Sequence, residues 1–95
     1  MYESKMRSPE TDALFDAILS LNDREACYRF FDDLCTYSEI TAMSQRLQVA
    51  RLLREGKTFA QISSETGVSS ATITRVNKCL SYGSGGYEQV LKNGA

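Results

Sequence analysis

Apolar positions recur at helical spacing through most of the chain, and hardly any segment alternates as a strand would. Residues 1–7 are polar and are expected to be loose. Ser8 and Pro9 make a helix start, with serine as cap and proline at the first helical position. The helix they open is predicted over Pro9 to Leu21, with Leu14, Phe15, Ile18 and Leu19 as its stripe. Asn22, with Glu25 three residues on, has the spacing of a second start. Its stripe is Cys27, Phe30, Phe31 and Leu34. These two stripes fit either a dimer interface or a tight monomer core.

Thr36 and Glu39 repeat the capping-box spacing before the longest pattern, Tyr37 to Glu55, which Gly56 stops. Ile40, Met43, Leu47 and Ala50 line one face of it, and Val49, Leu52 and Leu53 widen that face. Such a helix is expected to be central and contacted from two sides. Residues 58–82, TFAQISSETGVSSATITRVNKCLSY, then read as helix, tight turn, helix. Thr58 and Gln61 have N-cap and N3 spacing, and Gly67 sits where the chain needs a left-handed residue. Ser69 can cap a helix over Ser70 to Tyr82. Ile62, Val68, Ile73 and Val76 have the spacing that locks two short helices at a steep angle. GSGG at 83–86 is a linker, and 87–95 is a short last helix and tail, with Tyr87, Val90 and Leu91 packing on the body. The fold class is therefore all-α, as a single domain of about six helices over residues 1–95.

The polar face left on residues 69–78 changes the picture from fold to chemistry. It holds Ser69, Ser70, Ala71, Thr72, Thr74, Arg75, Asn77 and Lys78, with hydroxyls, an amide and two cations but no carboxylate. That surface suits phosphates and base edges. Two short helices around a glycine also occur in helical domains that bind no DNA, and serine and threonine often only cap.

Charge adds to this. Residues 1–45 carry four Lys/Arg against nine Asp/Glu, a balance of −5, whereas residues 46–82 carry six against two, a balance of +4. Glu88 and Lys92 cancel, which leaves −1 overall. The part able to attract a polyanion is the part with the helix-turn-helix pattern. Arg46, Arg51 and Arg54 lie off the main stripe and also read as solvated charge, Arg51 and Arg54 suiting the C-terminal end of a helix dipole.

Cys27, Cys35 and Cys79 are odd in number and lack CxxC spacing, and there is no histidine. A disulfide framework and a zinc site are not expected, and no cofactor is implied. Cys27 and Cys35 fall near apolar runs and are expected in the core. Free thiols, a polar N-terminus and no transmembrane-length run predict a soluble cytoplasmic protein that does not meet the membrane. No serine or cysteine has an evident base partner, and Asp12, Asp16, Asp32 and Asp33 read as solvated faces, so an enzyme is not expected.

The run Leu34 to Leu80 resembles the tryptophan repressor family, and the whole chain looks like its YerC/YecD branch. The strongest match is Ala71-Thr72-Ile73-Thr74-Arg75. Thr36, Glu39, Ala42, Arg46, Leu52-Leu53-Arg54, Glu65 and Gly67 support it. The resemblance implies an intertwined homodimer that represses an operon, such as one for amino-acid biosynthesis, at a palindromic operator in double-stranded DNA. Half-sites would lie about one helical turn apart. Carried over by position, Ser70, Ala71, Thr72 and Thr74 face base edges, partly through water, beside their cap Ser69. Thr58, Ser63, Asn77 and Lys78 sit near phosphates. In the family, a corepressor's planar ring lies between two arginines. The matching residues are Arg46 and Arg75, with Thr36 nearby, and guanidinium planes stack well on flat rings. The departure is Val76, where the family's tryptophan binders have glycine. A branched side chain there narrows the ligand site, so the expected effector is a smaller amino acid, histidine being one candidate, or none. A second function stays open beside this one, a helix-turn-helix module that docks on another protein.

Overall fold

The computed structural model of the chain describes residues 2–92. Among these there are six helices and no strand. They fall into two compact units that divide between Tyr37 and Ser38.

The first unit holds α1 (Pro9–Leu19) and α2 (Arg24–Leu34). Ser8 caps α1, accepting from the Thr11 N–H at 3.0 Å, and Pro9 begins the helix as expected. The helix stops two residues short of the predicted Leu21. There the Ser20 hydroxyl folds back to donate to the Ala17 carbonyl at 2.6 Å, which competes with another turn. The cap of α2 is Asp23, not Asn22. Its carboxylate accepts from the Ala26 N–H at 2.8 Å, which moves the helix start one residue on and leaves Glu25 out of register for a capping box. Neither helix contains a buried residue. Phe30 and Phe31 are half-buried and meet edge to face with ring centroids 5.5 Å apart. Phe15, Leu19, Tyr28 and Leu34 are exposed, Leu19 by 81%. Cys27, expected in the core, is exposed, and Cys35 is intermediate. Helical spacing reports which residues share a face, not whether anything covers it.

The second unit holds the core. It is built by α3 (Tyr37–Arg54, whose first residue belongs to the other unit), α4 (Phe59–Thr66), α5 (Ser70–Tyr82) and α6 (Gly86–Leu91). Val49 and Ala50 of α3, Ile62 of α4, Val68 of the turn, Ile73 and Val76 of α5 and Leu91 of α6 form one buried cluster. Leu47, Leu52, Leu53, Leu80 and Tyr87 pack around it. Each fully buried Ile or Val side chain contributes about 1.5–3 kcal/mol of apolar burial. Met43, placed on the inner stripe by its spacing, is exposed, and so is Val90. The last helix takes in Gly86, so the linker shortens to 83–85. Lys92 caps its end, and the predicted tail at 93–95 lies outside the described residues.

α3 ends in a Schellman pair of hydrogen bonds. The Gly56 N–H donates to the Leu53 carbonyl at 3.0 Å, and the Lys57 N–H to the Leu52 carbonyl at 3.1 Å. This stop turns the chain directly into the cap of α4. Arg54 reaches from the same end to Glu88 on α6 at 2.8 Å.

Candidate nucleic-acid interface

The α4–α5 pair is held by side chains that satisfy its own helix ends. Thr58 and Gln61 form a complete capping box. The Gln61 N–H donates to Thr58 Oγ1 at 3.1 Å, and the Thr58 N–H to Gln61 Oε1 at 2.8 Å. Gly67 closes α4 in the left-handed conformation, φ 74°, with its N–H on the Ser63 carbonyl at 2.8 Å. Ser69 caps α5, accepting from the Thr72 N–H at 3.3 Å, while its hydroxyl donates to Thr72 Oγ1 at 3.2 Å. The limits of α5 match the predicted ones at both ends.

One contributor escaped the sequence reading. The Thr66 hydroxyl donates to the Ile62 carbonyl at 2.7 Å and accepts from the Val68 N–H at 3.1 Å. It ties the last turn of α4 to the residue that enters the core. A threonine directly before the turn glycine was the available signal. Lys57 adds an ion pair to Glu65 at 3.7 Å, spanning α4 from before its start to its last turn.

With 3.6 residues per turn, α5 divides into two faces. Ile73 and Val76 point into the core at 0% and 1% exposure, and Leu80 lies half-buried along the same side. Ser70, Ala71, Thr74, Arg75, Asn77 and Lys78 are exposed, as are Ser69 before the helix and Thr58 and Ser63 on the α4 side. Thr72 lies at the border, half-buried, with its hydroxyl engaged by Ser69. No carboxylate occurs anywhere in α5. The face therefore presents hydroxyl and amide hydrogen-bonding groups and two cations on a rigid support.

The residues assigned to an effector are placed differently. Arg46 is half-buried on the inner side of α3, three and four residues before Val49 and Ala50. Arg75 is exposed on α5. Val76 is a core residue in contact with the buried cluster. Thr36 is exposed and belongs to the first unit.

A capped helix–turn–helix with a carboxylate-free outer face, set on an all-helical core, defines a helix-turn-helix domain of the regulator type. A model of the Trp repressor protein family matches residues 9–94, and the chain belongs to that family. This is a regulator fold and not an enzyme family. The chain is 58% identical over 91 residues to the uncharacterized protein YerC of Bacillus subtilis (strain 168), covering 96% of this chain and 88% of that one. A solved structure described as a candidate Trp repressor from Staphylococcus aureus superposes with a TM-score of 0.90 at 52% identity, covering 94% and 89%. A TrpR-like protein from Eubacterium eligens ATCC 27750 does so with a TM-score of 0.90 at 47% identity, covering 94% and 92%. Among the described residues no helix is long and apolar enough to cross a membrane.

Proposed function

We propose that the chain is a sequence-specific DNA-binding transcriptional repressor. It acts as a homodimer on a palindromic operator, with an amino-acid biosynthesis operon as the expected target. The observation that carries this reading is the outer face of α5. Ser70, Ala71, Thr74, Arg75, Asn77 and Lys78 are all exposed, on a helix without a carboxylate whose other side is locked in the core. Such a face can read base edges with its first turns and hold phosphates with its cations. Homodimer formation is supported by α1 and α2, which bury no residue and expose Phe15, Leu19, Tyr28 and Leu34. Work on a chromosome belongs in the cytoplasm, where the free thiols Cys27, Cys35 and Cys79 stay reduced.

For an effector the family pattern assigns Arg46 and Arg75, the first half-buried on α3 and the second exposed on α5. Val76 stands where the family's tryptophan binders have glycine, which favours a ligand smaller than tryptophan, histidine among the candidates, or none. Calorimetry with the common amino acids tests this, and tight tryptophan binding refutes it.

The central test is selection of fragmented genomic DNA by the purified protein, with and without an amino-acid mixture. The expected result is an enriched palindrome beside a biosynthetic operon. Thr74→Ala, on the exposed part of that face, should then weaken operator binding selectively, by roughly 1–3 kcal/mol. No enrichment in either condition would transfer the function to protein–protein docking.

A further inference from the structure

We propose that Tyr82 is a phosphate-contacting residue at the far end of the α5 surface, its phenolic hydroxyl donating to the DNA backbone. The proposal rests on the DNA-binding reading above and extends it to a residue outside the helix-turn-helix contacts assigned there. Ala71, Arg75, Lys78 and Tyr82 follow one another at spacings of four, three and four residues, which at 100° per residue puts them on one stripe. That stripe lies opposite Ile73, Val76 and Leu80, so it faces directly away from the core. Tyr82 is 86% exposed at its end.

The surroundings keep it open. The helix ends at Tyr82, and the next residue, Gly83, turns the chain where a Cβ would collide with the Cys79 carbonyl oxygen. Ser84, Gly85 and Gly86 follow, and none is large enough to shield a phenol ring. The surrounding charge also suits an anion. Among the described residues from 66 onward the one carboxylate is Glu88, and Arg54 holds it at 2.8 Å. Arg75 and Lys78 supply two cations on the approach.

Length decides where this end of the stripe falls. Eleven residues at 1.5 Å each place Tyr82 about 16 Å along α5 from Ala71. The major groove is about 12 Å wide. With the Ala71 end on base edges and the helix axis crossing the groove, the Tyr82 end passes the groove and meets a sugar–phosphate wall. Tyrosine is a neutral donor of the kind that contacts phosphates there.

The test is fluorescence anisotropy over a salt series, with a genomic fragment selected by the wild-type protein and a random duplex of equal length. Tyr82→Phe removes only the hydroxyl. It should weaken binding to both duplexes about threefold to tenfold. Its salt slope should equal that of wild type, because a neutral donor releases no counterion, whereas Lys78→Ala should flatten the slope by about 0.9. Binding of Tyr82→Phe equal to wild type overturns the proposal. So does a loss of affinity accompanied by a lower melting temperature or a changed sedimentation coefficient, which would make Tyr82 a packing residue. If wild type shows no salt-dependent binding to any duplex, the repressor reading falls and takes this contact with it.

Discussion

Gly67→Ala isolates the turn between α4 and α5 from everything around it. At Gly67 the backbone has φ 74°, and a Cβ built there meets nothing within 4 Å. The substitution therefore costs no collision, and its whole effect is conformational. An L-residue in the left-handed region costs about 1–2 kcal/mol. The added methyl also restricts the unfolded chain, which returns about 0.4–1 kcal/mol. The net destabilisation is about 1 kcal/mol. For a domain of this size that lowers the melting temperature by about 4–8 °C. Gly67→Asn should fall between glycine and alanine, because asparagine tolerates the left-handed region better. Thermal and urea unfolding followed by circular dichroism would measure both. DNA affinity per folded molecule should stay near wild type, since no contact residue changes. If Gly67→Ala melted at or above the wild-type temperature, the left-handed turn would not be what sets the angle between α4 and α5.

Other substitutions separate the remaining contributions. Ile73→Ala empties a site at 0% exposure in the middle of the core and should cost about 2–5 kcal/mol, read by urea denaturation. Thr58→Ala removes one half of the capping box and should cost about 1 kcal/mol by the same assay, with no change in the salt dependence of DNA binding. Arg54 and Glu88 are 42% and 56% exposed, so their pair should be worth at most about 1 kcal/mol in a double-mutant cycle despite its 2.8 Å contact. A coupling energy of several kcal/mol would show that α6 is held mainly by this pair and not by Leu91.

What could be read from the sequence divides along a physical line. The limits of α4 and α5 were legible because Thr58, Gln61, Gly67 and Ser69 act over three or four residues, and each does its expected local work. Adjacent caps are harder. Asn22 and Asp23 are both good cap residues, and only the geometry of the Ala26 N–H chose between them. Burial was legible for Ile62, Val68, Ile73 and Val76, where short helices on both sides of a tight turn leave one inward direction. It was not legible for Cys27, Met43 or Val90, whose spacing is equally helical but whose faces remain open to solvent. Exposure along α5 followed from the same spacing at Ser70, Ala71, Thr74, Arg75, Asn77 and Lys78, whereas Thr72 sits half-buried at the border with its hydroxyl engaged by the cap. Thr66 went unread because a threonine that satisfies two backbone groups looks like any polar residue before a turn.

The division of α5 into two faces has an evolutionary consequence. Ile73 and Val76 carry the fold, and Ser70, Ala71, Thr74, Arg75, Asn77 and Lys78 carry the outer surface, with no residue in both sets. Exposed substitutions of that second kind usually change stability by no more than about 0.5 kcal/mol. Under the proposed function, gene duplicates of this chain would drift to new binding addresses one residue at a time, without passing through unfolded intermediates. The buried set would hold the frame constant over a lineage while the exposed set diverged.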